Sequence, residues 1–296
     1  MKRLKLRALV QRPELLFPVI VLGICYSLGF LADRIPGQAG VIVYEILQKG
    51  FTALPVLAVL ITRKITRDTK PWNFSFKVWK QPGLWLLCAV GPGVLTALGA
   101  VLYFCVFPQE YSGSFHYGAL LGMTGEMPIS SPLPFALTTI LLAAVFLPLQ
   151  ILELGEELGW RGYLLSKQIQ RFGLQKGVLI NSLLWGFGHL PLIYFGFNYS
   201  LDNPLAPWSN LAMMMLVCLV FGILCGAATI VSGNCMFAAI IHGVFNLVGE
   251  VPVFLSVSQR NTLLGPNPTG LLGMLWLLVS ALFVFVCLKS VKNRLK

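Results

Sequence analysis

The 296-residue chain is 56% hydrophobic and 11% charged, with a mean hydropathy of +0.78, whereas about a quarter of an ordinary soluble domain is charged. The apolar residues fall in long blocks, several exceeding the roughly 18 residues of a membrane-crossing helix, which excludes a soluble enzyme and leaves no room for a large soluble domain. The net charge of +11 would suggest nucleic acid in a soluble protein. Here the basic residues lie between apolar blocks, where they set topology and meet anionic lipid, so no nucleic-acid partner is expected.

After a basic start (Lys2, Arg3, Lys5, Arg7, Arg12), the first apolar stretch runs from about Leu15 to Leu31. It is longer than the roughly 7–15 apolar residues of a signal peptide and is expected to be a retained first helix. The following spans are expected near Val41–Ile61, Gly83–Phe107, Pro134–Leu152, Gly177–Phe195, Leu211–Val231, Met236–Phe254 and Leu271–Leu288. Prolines such as Pro82, Pro108, Pro132, Pro204 and Pro266 punctuate these boundaries. The longest outer loop, about Pro108 to Ser131, is a connector or a lid.

With the N-terminus cytoplasmic, 19 of the 22 basic residues fall in cytoplasmic segments; Arg34, Lys49 and Arg260 are the exceptions. This matches the positive-inside bias for an even number of crossings. The expectation is an all-α polytopic membrane bundle of about eight transmembrane helices, both termini cytoplasmic, forming one integral domain over 1–296 in the cell membrane. The seven cysteines form no CxxC pair and suggest neither a disulfide framework nor a zinc cluster.

Ionisable residues within spans are costly and usually face the bundle interior for a functional or pairing reason. The densest group is Glu153, Glu156, Glu157 and Arg161. Glu157 and Arg161 are four apart, so they share a helix face in the favoured pair order, while Glu156 lies about 140° around the helix from Arg161 and is left for another task. The alternative is a solvated helix cap. His189 follows Trp185 by four residues, so the indole can shield the imidazole, and Pro191 is expected to kink the helix beyond it. His242 and Asn246 are again four apart on one face. Each pair also fits an ordinary interhelical hydrogen bond. Apart from His116 in the outer loop, these are the chain's only histidines. Glu45 and Glu250 have no evident partner and are expected in interfacial or interhelical roles.

A carboxylate, two imidazoles and a carboxamide form a hydrolytic set. Glu156 with His189 would take a proton from an attacking water. His242 and Asn246 would donate to the oxyanion, one such donor being worth about 3–4 kcal/mol. Alternatively Glu156, His189 and His242 would ligate a divalent metal such as zinc and leave a position for water.

Glu156–Glu157–Leu158–Gly159–Trp160–Arg161 resembles the EExxxR motif of the CPBP (Abi, or CAAX protease) family of intramembrane proteases. Trp185-x-x-x-His189 resembles its FxxxH motif, with Trp in the aromatic place, and His242-x-x-x-Asn246 its HxxxN motif. The three occur in family order over about 133–254. The resemblance implies an eight-helix CAAX-type endopeptidase in which Glu156 and His189 activate water and His242 and Asn246 complete the site. Glu157 and Arg161 would orient the motif or contact substrate. It implies a membrane-associated peptide or protein substrate, prenylated or not, and either a metalloprotease or a metal-free glutamate mechanism. Two other functions share the features: a non-proteolytic protein of the same fold, serving bacteriocin self-immunity or as a scaffold, and an ion-coupled transporter, against which the lack of paired halves counts. HExxH, GxSG and paired intramembrane aspartates are absent, with Asp33, Asp68 and Asp202 expected in loops.

Overall fold

The computed structural model describes residues 12–115, 127–129, 131–146, 153–257 and 262–294. Lys2, Arg3, Lys5, Arg7, His116 and the end of the fourth expected helix at 147–152 lie outside them. The helices are α1 (Pro13–Arg34), α2 (Gln38–Gly50), α3 (Leu54–Thr66), α4 (Pro82–Val106), α5 (Pro132–Val145), α6 (Leu154–Glu157), a π-helix (Leu158–Leu164), α7 (Leu165–Phe172), α8 (Leu174–Tyr194), α9 (Trp208–Ser232), α10 (Met236–Gly249), α11 (Val251–Phe254) and α12 (Leu275–Arg294). A two-stranded antiparallel ribbon, β1 (Ser114–Phe115) with β2 (Met127–Pro128), sits between α4 and α5.

Among the described residues, each expected apolar span overlaps a helix or a helix pair. Among the described residues five helices are long and apolar enough to cross a membrane: α1, α4, α8, α9 and the continuous stretch Met236–Phe254. The bundle is an all-α membrane fold. Its outer surface carries large apolar side chains, such as Leu87 at 66% and Phe283 at 70% exposure, as suits a lipid-facing wall rather than a wet one.

The second expected span is not one straight helix. It is α2 and α3, bent by 75° at residues 51–53, giving a sixth crossing if the pair is one span. The run between Val41 and Ile61 is apolar throughout, so hydropathy conceals a break that Gly50 and Pro55, at the start of α3, make cheap. Proline does not end α8, which continues past Pro191 to Tyr194. Asp33 lies in the last turn of α1 rather than in a loop. Glu45 has a partner after all, Lys49 at 2.9 Å one turn along an exposed face.

Two close approaches set the interior. A Cβ on Gly155 would run into the backbone carbonyl of Thr52, so the motif helix rests on the break between α2 and α3. A Cβ on Gly222 would collide with Ser182, which lets α8 and α9 pack at short range. At the ends of α3 and α7, Lys167 Nζ lies 2.6 Å from Asp68 and 4.4 Å from the Tyr163 ring centroid; Arg171 pairs with Glu14 of α1.

Burial works against the charge of Asp68. The Lys167 ammonium and the Lys70 backbone N–H outweigh it and hold the carboxyl below its ordinary range. The pair therefore stabilises the fold fully above the unfolded carboxyl value of about 3.9 and loses its effect as pH falls through the lower folded value. Asp68→Asn should lower the melting midpoint of detergent-purified protein at pH 7, by no more than about 1 kcal/mol in stability, and the difference should shrink as pH falls through the folded carboxyl's value. A difference that persists undiminished at low pH would assign the loss to packing instead.

Candidate active site

The motif helix is held by its own wide turn and by a clasp from α8. Its π-helical turn (Leu158–Leu164) carries Trp160, Arg161, Tyr163 and Leu164 into the core, and such wide turns are often found at functional sites. Asn181 of α8 then clasps it, donating from Nδ2 to the Trp160 carbonyl at 3.0 Å and to Gln168 Oε1 at 2.9 Å.

Glu157 and Arg161 are both fully buried and paired at 3.1 Å, as their spacing predicts. The same Glu157 oxygen, Oε1, also meets Nδ1 of His242 at 2.9 Å. A carboxylate only accepts, so Nδ1 carries the hydrogen. The Arg161 guanidinium lies 4.3 Å from the Trp185 ring centroid, a cation–π contact.

Trp185 is the second organiser. Its Nε1 donates to Glu156 Oε2 at 2.7 Å, and its ring meets both His189 and His242 edge-on, at 5.1 and 5.4 Å. The expected shielding of His189 is present. The hydrogen bond to Glu156 is new, since a Phe in the same aromatic place has no donor. His189 donates from Nδ1 to the Trp185 carbonyl at 3.1 Å, because a carbonyl too only accepts. Its Nε2 is then the basic nitrogen, and the Phe51 ring from the α2–α3 break packs 4.5 Å from the imidazole.

Glu156, Trp185, His189, His242 and Asn246 all line one cavity of about 320 Å³. Glu156, His189 and His242 are buried, at 3, 7 and 5% exposure; Asn246 is exposed. Glu157 and Arg161 stand behind this wall rather than on it. Glu250, one turn beyond Asn246, also lines the cavity, with Asn267 and Thr269.

Sequence reasoning missed one member. Glu153 belongs to the acidic group, yet no motif points to it. Its Oε1 accepts from Asn246 Nδ2 at 2.9 Å, and its Oε2 lies 3.8 Å from His242 Nε2. The signal was available in its spacing: Glu153 precedes Glu156 by three residues and Glu157 by four, which places the three carboxylates around one turn.

Residues 130–248 match the family model for Rce1-like type II CAAX prenyl endopeptidases. This motif-bearing region is similar to the Rce1-like endopeptidases. The Rce1-like segment contains Glu156, Glu157, Arg161, Trp185, His189, His242 and Asn246. The chain is also 27% identical over 179 residues, 60% of its length, to the CAAX prenyl protease 2 of Methanococcus maripaludis. It spans about half the length of that relative, 54%.

Removing Arg161 from this Rce1-like core leaves Glu157 as an uncompensated buried charge. Arg161→Met should cost about 3–5 kcal/mol of stability, read as a fall in the unfolding midpoint in detergent. Adding Glu157→Gln should recover part of the loss while leaving His242 without its carboxylate. A single variant that unfolds like wild type would remove the pair from its organising role.

Proposed function

We propose that this chain is an intramembrane endopeptidase of the CAAX-processing type, hydrolysing a peptide bond of a membrane-associated substrate, with its catalytic core at about 133–254. The observation that carries this is the convergence of Glu156, His189, His242 and Asn246 on one cavity within a Rce1-like segment. The family match does not favour the immunity or scaffold alternative.

In this mechanism Trp185 N–H holds Oε2 of Glu156 and leaves Oε1 to take a proton from water as the water oxygen attacks the scissile carbonyl carbon. Glu156 then returns that proton to the departing amine. His189, whose Nε2 lone pair is unprotonated, holds the water. Asn246 and His242 stabilise the oxyanion. Because Nδ1–H of His242 is committed to Glu157, the ring can donate from Nε2 only as an imidazolium. Among the described residues Glu153, Glu156 and His242 form a donor set that fits a divalent cation; bound there, such an ion would polarise the carbonyl and acidify water.

Wild type is expected to cleave members of a panel of prenylated and unprenylated C-terminal peptides. Glu156→Gln should lose at least about 100-fold of that rate, with unchanged melting. Equal cleavage by both proteins would end the proposal, and a chelator arm bears on the metal.

We further propose that the bent pair α2–α3 and the shorter apolar helices α5 and α12 join the five long spans as crossings of the cell membrane. That gives eight in all, with both termini cytoplasmic. The support is the charge bias of the loops. A C-terminal fusion to a fluorescent protein that matures only in the cytoplasm should fluoresce, whereas activity of a secreted phosphatase fused there would overturn the topology.

A further inference from the structure

Residues 63–80, the end of α3 and its link to α4, hold six basic residues and one acidic residue, Asp68, which Lys167 already pairs with. Lys64, Arg67, Lys70, Lys77 and Lys80 are exposed, and among the described residues none of them forms an ion pair. Aromatic residues are interleaved with them. Trp72 and Phe74 turn to the core, whereas Phe76 and Trp79 are 57% and 67% exposed. The 3₁₀ turn at Val78–Lys80 sorts the remainder, because residues three apart share a face in such a turn. Lys77 and Lys80 share the outer face. Val78 packs on the core, and Gln81 Nε2 donates to the Ser232 carbonyl at 3.2 Å.

What covers this surface follows from where it lies. α4 is one of the five membrane-length helices and begins at Pro82, so the chain just before it lies where the bundle leaves the lipid. Tryptophan suits that level because its ring is apolar and its N–H polar. Lysine suits it because the stem lies along apolar matter while the ammonium reaches the headgroups. Five unpaired cations and two bare rings lack both an anion and an apolar cover within the protein. A soluble anion would answer the charges alone, and a neutral lipid the rings alone. An anionic phospholipid answers both in one molecule.

The same stretch is tied to both elements that carry the site. The Asn73 N–H donates to the Gly162 carbonyl of the π-helical turn at 3.3 Å, and the Asn73 carbonyl accepts from the N–H of Cys235, the N-cap of α10, at 2.8 Å. Asn234, itself buried, closes the joint. Its Oδ1 accepts from the Ser75 N–H at 2.9 Å and its Nδ2 donates to the Ser75 carbonyl at 2.7 Å. We infer that residues 64–80 are a binding surface for anionic phospholipid, with the cations on headgroup phosphates and Phe76 and Trp79 at the acyl boundary. Lipid bound there steadies the motif turn and the start of α10 through Asn73 and Asn234. The inference rests on the membrane bundle and not on the hydrolytic reading.

The test titrates the delipidated, detergent-purified full chain with phosphatidylglycerol or phosphatidylcholine and reads bound lipid by native mass spectrometry. Hydrogen exchange then follows the backbone of Leu158–Leu164 and the first turn of α10 in nanodiscs of each lipid, whose two leaflets are alike, so the outcome does not depend on topology. Wild type should prefer phosphatidylglycerol at least about tenfold, and exchange at both places should slow in it. Lys77→Gln/Lys80→Gln should lose at least about tenfold of that affinity, together with the slowing. Trp79→Ser should weaken binding at least about threefold. The charge-matched control Lys176→Gln/Lys289→Gln, at exposed positions on α8 and α12, should keep both effects. Melting in phosphatidylcholine checks that each variant is folded. Equal binding of the two lipids, equal loss in the two double variants, undiminished binding in Trp79→Ser, or slowing by soluble glycerol phosphate alone would overturn the binding surface. Phosphatidylglycerol bound without slowed exchange would overturn its link to the site. Both readouts are taken without substrate, so failure here leaves the hydrolytic reading standing, and a chain that cleaves no peptide can still bind lipid in this way.

Discussion

The site rests on one buried oxygen. Oε1 of Glu157 receives both the Arg161 guanidinium and Nδ1 of His242, joining two helices distant in sequence by a single acceptor. A lone carboxylate at zero exposure would be prohibitive to bury, and Arg161 is what makes it tolerable. Arg161 is in turn sandwiched against Trp185, whose N–H reaches the neighbouring Glu156. The pair is thus less a source of net stability, which buried ion pairs rarely provide, than a fixture that sets the angle of three side chains at once.

From that fixture the adjacent carboxylates separate into tasks. Glu157 turns inward and is fully committed. Glu156 turns to the cavity and, among the described residues, has one oxygen bonded to Trp185 and the other facing the cavity. Glu153, a turn earlier, reaches across to α10 and meets His242 and Asn246. The two histidines divide likewise. His189 spends its hydrogen on a carbonyl and His242 on a carboxylate, so their outward nitrogens differ in what surrounds them. Identical residue types acquire distinct chemistry from the partner on the far side of each ring.

Much of this was legible in the sequence because it follows helical spacing. The Glu157–Arg161 pair, the Trp185–His189 contact and the location of the apolar helices all come from intervals of four or from long apolar runs. What spacing does not encode is contact between helices. The junction of Glu157 with His242 spans 85 residues and that of Glu153 with Asn246 spans 93; neither follows from a local pattern. The break between α2 and α3 was hidden because its residues are as apolar as the helices beside it. The π-helical turn was hidden because Glu157 and Arg161 stay close in either geometry.

The bend between α2 and α3 bears on where water comes from. Backbone that leaves helical geometry part-way through a crossing is tolerated only against protein or against a wet cavity. Here Thr52, at the break, lines the same cavity as Glu156, and its carbonyl touches Gly155 beside that glutamate. The proposed hydrolysis of a bond within a lipid layer needs its second reactant, water, to come in from outside the oil. On the proposed topology, a crossing built from two half-helices gives the cavity a wall of polar main chain at that depth, where a straight apolar helix would present only side chains.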